Sequence, residues 1–150
     1  MEVVKFRLEG LVNSLRLPQT AAYQNTELCP KKTHIAGLIS NIMGKNEKFY
    51  YTQLLPNIKV GILPLSIDGL FVDLWQYKKW KESNIGGRAV VKREKLFHAS
   101  YEIFISPSEN ISLDEIYNSL KFPERVPSLG MDDEMIEIKD VRHITSNPLK

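Results

Sequence analysis

Two helical patterns, each lying between strand-like segments, constrain the fold of this chain most strongly. The apolar residues of the first pattern recur at i, i+3, i+4 and i+7 and share one face; they are Ile35, Leu38, Ile39 and Ile42. We expect Thr33 to cap the start of this helix and Gly44 to end it in the left-handed conformation. The second helix should begin with a capping box at residues 112–115 and bury the face formed by Leu113, Ile116, Tyr117 and Leu120.

Alternating apolar and polar residues predict the strands around these helices. Residues 4–9 alternate in this way, and Gly10 should end the first strand. Four further strands are predicted, over residues 58–62, 70–77, 101–105 and 135–141. Pro64 should separate the first two of these four. A turn at the glycine pair 86–87 would make residues 77–96 a protruding basic hairpin.

The order of these elements predicts an α+β protein. Strand, helix, strand, strand, helix and strand form the β-α-β-β-α-β core of the ferredoxin-like, or RRM-like, fold, with the basic hairpin between the second and third core strands. With 150 residues, of which 43% are hydrophobic and 25% charged, the chain should form one globular domain over residues 1–150. The aromatic RNP pattern of RNA-recognition domains is absent, so we do not expect bases to stack on the sheet.

The composition excludes several classes of protein. Cys29 is the only cysteine, which rules out an internal disulfide and a cysteine-rich zinc site. His34 and His143 are too isolated for a metal site, and we expect no cofactor. Charged residues interrupt the first ten positions, so a signal peptide is not expected, and no apolar run is long enough to cross a bilayer. We therefore expect a cytoplasmic protein without a membrane partner.

The charged residues are unevenly distributed, although the net charge is only +2. Residues 78–95 contain seven basic and two acidic side chains, whereas residues 109–140 contain nine acidic and three basic ones. One face should therefore attract a polyanion and another a protein partner, the alternative being two ordinary solvated faces.

A long polar connection leads into the first helix and carries two lysines to its start. Lys31 and Lys32 stand where the helix dipole is positive, which is unfavourable by about 0.3–1 kcal/mol each. An anion bound by the free backbone N–H groups and the two lysines would remove this conflict. We expect this anion to be a phosphate, and the length of the loop indicates a polymer.

Four segments together resemble one protein family. They are the first strand and loop at residues 6–18, the helix with its entry at residues 33–44, residues 92–96 followed by Tyr101, and residues 126–130. Their order and spacing are similar to those of the fifth CRISPR-associated protein family of the RAMP superfamily, the repeat-associated subunit of type I Cascade complexes. Members usually continue with a C-terminal region, which we expect to be absent or very short in this chain.

The resemblance implies a subunit that binds CRISPR RNA and takes part in antiviral defence. Such subunits hold the 5′ handle of the RNA, cap the filament of backbone subunits, lie beside the large subunit and so act indirectly on target DNA. The hairpin at residues 77–96 would be the thumb. The expected RNA contacts are Arg16, Lys31, Lys32, Thr33, His34, Gly37, Lys45, Tyr77, Trp80, Arg88, Lys92 and Arg93.

Some of these residues have an alternative interpretation. The lysines could be ordinary surface residues, Trp80 could pack at the base of the hairpin, and Arg93 could form an ion pair with Glu94. Gly37 costs about 1 kcal/mol inside a helix relative to Ala, and close approach of either RNA or the sheet would explain it.

Two other functions remain open. One branch of the family cleaves the CRISPR repeat without a metal, and the residues available for such chemistry are Tyr50, Tyr51, Lys95 and His98. Lys95 and His98 are three residues apart on a strand and should face opposite sides, so we expect no catalytic residues. The second alternative is a scaffold protein whose basic hairpin binds an acidic protein instead of RNA.

Overall fold

The computed structural model describes residues 2–19, 23–81 and 84–145, without the side chains of residues 79–81 and 84–86. The strands are β1 (Glu2–Asn13), β2 (Tyr23–Gln24), β3 (Ile58–Lys81), β4 (Asn84–Pro107) and β5 (Ile136–Thr145). The helices are α1 (Lys32–Ile42), α2 (Glu47–Phe49), a π-helical turn (Tyr50–Leu54), α3 (Leu55–Asn57) and α4 (Leu113–Lys121). The predicted α+β class is therefore confirmed.

The strands form one sheet. β1 lies between β4 and β5 and is antiparallel to both, and β3 pairs with the opposite edge of β4. The resulting order is β3-β4-β1-β5. The short β2 adds to the β1 edge of β4 beyond the end of β1, in parallel register at Lys92 and Arg93.

The core lies between one face of this sheet and the helices. Val4, Phe6 and Leu8 of β1 are buried there, as the alternating pattern predicts. The apolar faces of both helices are also confirmed, because Ile35, Leu38, Ile39, Ile42, Ile116 and Leu120 are buried in the same cluster. Ser112 Oγ accepts a hydrogen bond from the Glu115 N–H at 3.3 Å, which confirms the predicted start of α4.

The prediction that Gly10 ends the first strand is wrong. Gly10 pairs with Ala99 on one side and with Ile136 on the other, and β1 continues to Asn13. A Cβ atom at Gly10 would lie 1.8 Å from Oδ1 of Asn13. The glycine therefore makes room for the buried Asn13 carboxamide rather than ending the strand.

The prediction of a strand break at Pro64 is also wrong. β3 runs through Pro64 with a register shift between Pro64 and Ser66, and within the described residues it pairs only with β4. A proline fits an edge strand at such an irregularity because no ladder hydrogen bond is needed from its nitrogen.

The prediction of a turn at residues 86–87 is wrong too, since both glycines lie within β4. Lys81 pairs with Asn84, and residues 82–83 lie outside the described part of the chain.

The start of α1 differs from the prediction, whereas its end agrees. α1 begins at Lys32 with Lys31 as the capping residue, so Thr33 lies inside the first turn and does not cap the helix. His34 Nδ1 accepts the Lys31 backbone N–H at 3.0 Å and takes over part of that role. Gly44 has a φ of +66° and ends the helix as expected.

Candidate nucleic-acid interface

The loop after β1 is a folded excursion rather than an open polar segment. The Leu17 N–H donates to the Asn25 carbonyl at 3.0 Å, and the Glu27 N–H donates to the Leu15 carbonyl at 2.8 Å. The Leu15 N–H in turn donates to Thr26 Oγ1 at 2.8 Å, and Leu15 is fully buried. The described parts of the loop thus have an internal ladder, and residues 20–22 lie outside them.

The basic residues of this loop lie on the surface. Arg16 is exposed and forms a β-bridge with Thr26, and Lys32 is exposed in the first turn of α1. Lys31 Nζ lies 2.5 Å from Glu27 Oε1, so one lysine already has a carboxylate partner. The charge conflict at the start of α1 is therefore partly relieved within the chain, and Lys32 is the lysine better placed for an external phosphate.

His34 and Gly37 face a groove beside α1. Burial lowers the pKa of the half-buried His34 imidazole, so the side chain is neutral near pH 7. Apart from its two chain neighbours and the nearby backbone of α1, no atom lies within 4 Å of the position that a Cβ would occupy at Gly37. Close approach of the sheet is therefore excluded as the reason for this glycine, whereas approach of RNA remains a prediction. Lys45 lies after α1, with Nζ 5.7 Å from the Phe49 ring centroid.

β3 and β4 continue beyond the end of β1 as a two-stranded ribbon, formed by residues 70–81 and 84–96. Lys78 pairs with Arg88 and Leu74 with Lys92, and opposed residues of an antiparallel pair share a face. Arg88, Lys92 and Lys78 are all exposed. The ribbon thus carries basic side chains on one face.

The opposite face of the ribbon carries an aromatic cluster. Trp75 and Tyr77 stack with ring centroids 6.1 Å apart, and each is more than two fifths exposed. Arg93 lies over the Trp75 ring at 4.5 Å from its centroid. The sequence analysis predicts an RNA contact for Tyr77 but not for Trp75. Because side chains alternate between the two faces of a strand, Trp75 and Tyr77 lie on the same face. The predicted contact at Trp80 falls on a side chain outside the described residues.

Arg93 has a structural position that does not fit a direct phosphate contact. Its side chain is only 8% exposed, and its Nε donates to Gln24 Oε1 of β2 at 3.0 Å. The expected ion pair with Glu94 is not the one formed, because Glu94 Oε2 accepts the Thr26 N–H at 3.1 Å. Arg93 and Glu94 therefore attach the loop to the ribbon. These contacts join the loop that precedes α1 to the basic ribbon, the two regions of the sequence that are predicted to bind RNA.

A buried carboxylate, that of Glu134, lies where the end of β1 meets the base of the ribbon. Glu134 is 3% exposed and accepts hydrogen bonds from the Ser14 N–H at 2.7 Å and the Met131 N–H at 3.0 Å. Lys95 Nζ lies 3.3 Å from its other oxygen and 3.6 Å from Asp73. Glu134 thus connects the end of β1, residues 129–134 and the base of the ribbon, and no sequence pattern marks it.

The four residues considered for RNA cleavage lie in different parts of the fold. Tyr50 and Tyr51 pack edge to face in the π-helical turn, where Tyr50 Oη donates to the Thr33 carbonyl at 3.3 Å. Lys95 lies on β4 in the ion pairs with Glu134 and Asp73. His98, also on β4, has its Nδ1 2.6 Å from Asp68 Oδ2. These contacts do not unite the four side chains in one cluster.

The sheet face opposite the helices carries a ladder of ion pairs. Lys5 pairs with Glu102 at 2.6 Å, and Lys139 pairs with both Glu9 and Glu137. The two carboxylate hydrogen bonds raise the pKa of Lys139 to about 12. Positive charge on this face is thus largely matched within the chain.

No group of three or more His, Cys, Asp or Glu residues suited to a metal ion occurs in the part of the chain that the structure describes. No helix in that part is both long and apolar enough to span a bilayer.

Comparisons with known proteins give matches only at the level of structure. No protein-family profile and no curated protein sequence matches the chain. A chain of a CRISPR RNA-guided surveillance complex superposes with a TM-score of 0.67 and 19% identity, over 89% of this chain and 59% of that chain. A Cas protein crystal structure gives a TM-score of 0.60 and 17% identity, over 89% and 58%.

A third structure extends the likeness. A chain of the type III-B Cmr-beta complex bound to cognate target RNA gives a TM-score of 0.61 and 12% identity, over 95% of this chain and 60% of that chain. The chain thus spans about three fifths of the length of these structural relatives. At such low identities the likeness establishes the fold alone, which this chain shares with the Cas protein and the chains of CRISPR complexes named above.

Proposed function

We propose that this chain is a CRISPR RNA-binding subunit of a type I Cascade complex, which holds the 5′ handle and caps the backbone filament. The fold shared with chains of CRISPR RNA-guided complexes supports a role in such an assembly. The resemblance of residues 6–18, 33–44, 92–96 with Tyr101, and 126–130 to the fifth CRISPR-associated family supports the particular subunit.

The topology supports the ferredoxin-like assignment and the thumb. The main elements follow one another as a β-α-β-β-α-β unit, formed by β1, α1, β3, β4, α4 and β5. In the sheet order β3-β4-β1-β5 the first and third strands of this unit are central and the second and fourth are at the edges, as in the ferredoxin-like fold. The ribbon at residues 70–81 and 84–96 is the proposed thumb, somewhat longer than the predicted 77–96.

The observation that carries the proposal is the attachment of the loop to the ribbon. β2 pairs with β4 at Lys92 and Arg93, which brings the base of the basic ribbon beside the loop that precedes α1. A single strand of RNA crossing this junction would meet Arg16 and Lys32 on the loop side and Lys92 on the ribbon side. Phosphate contacts of this kind give affinity without base specificity.

Other Cascade subunits are the proposed protein partners. Large hydrophobic side chains are exposed on the ribbon, among them Leu70, Leu74 and Val90 on the face that carries Lys92. Exposed apolar residues interleaved with basic ones suit a surface covered by both a backbone subunit and RNA. Contact with the large subunit, action on target DNA through it and a cytoplasmic location belong to the same proposal.

Incubation with the repeat RNA of the same locus, with and without EDTA, tests the function. We expect a shifted complex and intact RNA in both conditions. Absence of binding would instead support the scaffold alternative. Binding must weaken in the Lys32→Ala variant, whereas Lys59→Ala, a change at an exposed lysine of β3 away from the loop, serves as the matched control.

A metal-independent endoribonuclease is the second candidate, and His98 is the residue that favours it. The His98 imidazole is held by Asp68 at 2.6 Å, and its backbone has a φ of +49°, a strained value for a residue with a side chain. Such an oriented histidine is suited to proton transfer. Cleavage in EDTA that is lost in His98→Ala would establish this function.

A further inference from the structure

A preformed groove separates α1 from the segment 126–132. Its volume is about 450 Å³. Thr33, His34 and Gly37 line the α1 side, and Ser128 and Asp132 line the other side. The groove opens next to the first turn of α1, where the proposed RNA contact Lys32 lies.

The wall opposite α1 is fixed by hydrogen bonds. Asn41 Nδ2 of α1 donates to the Val126 carbonyl at 3.1 Å, and the buried Glu134 accepts the Met131 N–H at 3.0 Å. Gly130 adopts a φ of +106°, and a Cβ there would collide with backbone and carboxylate atoms. These contacts attach the segment to α1 at Val126 and fix its position near Glu134, so the groove between them exists before a ligand arrives.

Gly37 provides the room in the groove. Glycine is disfavoured in a helix interior relative to Ala, and here no neighbouring atom requires the missing side chain. The open space above Gly37 is itself part of the groove. Packing therefore does not explain the glycine at position 37, whereas access of a ligand to the groove does.

The groups in the groove suit a nucleobase better than a phosphate. His34 Nδ1 accepts the Lys31 N–H, so a neutral imidazole carries its proton on Nε2 and is a donor there. Thr33 and Ser128 add hydroxyl groups, and Asp132 is an acceptor only. A carboxylate repels phosphate but accepts hydrogen bonds from an exocyclic amino group, while the donors serve ring nitrogens or carbonyls.

We propose that this groove receives one unpaired nucleobase with an exocyclic amino group, with Asp132 reading that group. The inference rests on the proposed RNA-binding function and adds a base preference to it. Adenine, cytosine and guanine carry such an amino group, whereas uracil would set carbonyl oxygens against the carboxylate. The phosphates on either side of this nucleotide would remain outside the groove, near Lys32.

Short single-stranded RNAs test the base preference. Fluorescence anisotropy at one fixed salt concentration should show oligo(A) or oligo(C) of eight residues binding about fivefold to a hundredfold more tightly than oligo(U). Asp132→Asn should remove most of this difference. Asp133→Asn changes an adjacent exposed carboxylate that is not part of the groove wall and should leave it intact.

Gly37→Ala tests the groove without damaging the fold. The added methyl group meets no atom within 4 Å beyond its chain neighbours and the nearby backbone of α1, and Ala favours helices. We therefore expect the urea midpoint to stay or rise while affinity for the preferred oligonucleotide falls severalfold. Asn118→Ala, on the exposed face of α4, should affect neither affinity nor base preference.

The outcomes separate the two proposals. Equal binding of all oligonucleotides, or unchanged affinity in Gly37→Ala, would overturn the groove and leave RNA binding standing. Failure of the wild-type chain to bind any of them and its own repeat RNA would overturn the proposed function, and the groove proposal with it.

Discussion

At the scale of single residues, Glu134 joins three separate parts of the chain through its contacts with Ser14, Met131 and Lys95. We expect Glu134→Gln to lower the free energy of unfolding by about 2–3 kcal/mol, because an amide cannot accept both backbone N–H groups and satisfy Lys95 as well. Urea denaturation measures the change. Glu137→Gln, at a side chain that is 70% exposed, should cost less than about 0.5 kcal/mol. Equal effects of the two substitutions would contradict this role.

His34 makes a second prediction at this scale, on pH dependence. Burial lowers its pKa in the folded protein, so the unfolded chain binds the proton more readily. This residue therefore costs no stability above its unfolded pKa of about 6.5 and destabilises the fold progressively as the pH falls below that value. Unfolding free energies between pH 8 and pH 5.5 should decline less steeply in His34→Gln than in the wild type. Parallel curves would show that His34 does not contribute.

At the scale of elements, two neighbouring basic residues of the ribbon should have different roles, Arg93 in stability and Lys92 in RNA binding. Arg93→Ala should destabilise the protein by about 1–2 kcal/mol, since it removes the Gln24 hydrogen bond and the contact over Trp75. Lys92→Ala, next to it but exposed, should leave stability within about 0.5 kcal/mol and weaken RNA binding. Denaturation and RNA titration of both variants check this, and the reverse pattern would refute it.

The elements that could be predicted from the sequence are those with a local signal. Ile35, Leu38 and Ile39 repeat at helical spacing, and Ser112 begins α4 with a local hydrogen bond, so both helices were predictable. The continuation of β1 past Gly10 depends instead on Asn13, whose carboxamide donates to the Leu129 carbonyl 116 residues away. No window along the sequence contains that contact.

At the scale of the whole molecule, the candidate site was predictable in its parts but not in its arrangement. The lysines before α1 and the basic ribbon follow from composition and spacing. Their connection does not, because β2 has two residues and owes its position to Arg93 and Glu94, some 70 residues later. For the same reason Arg93 was predicted to bind RNA although it binds Gln24. Long-range polar contacts decide which basic residues remain available.

The salt dependence of RNA binding tests the central claim most directly, because it counts the phosphates that the protein neutralises. The variant Lys32→Ala/Lys92→Ala removes one exposed lysine from the loop side and one from the ribbon side. We expect the slope of log K against log salt concentration to become shallower by about 1–2 relative to the wild type, without a change in the urea midpoint. A slope equal to that of the wild type would show that RNA does not cross the junction between loop and ribbon.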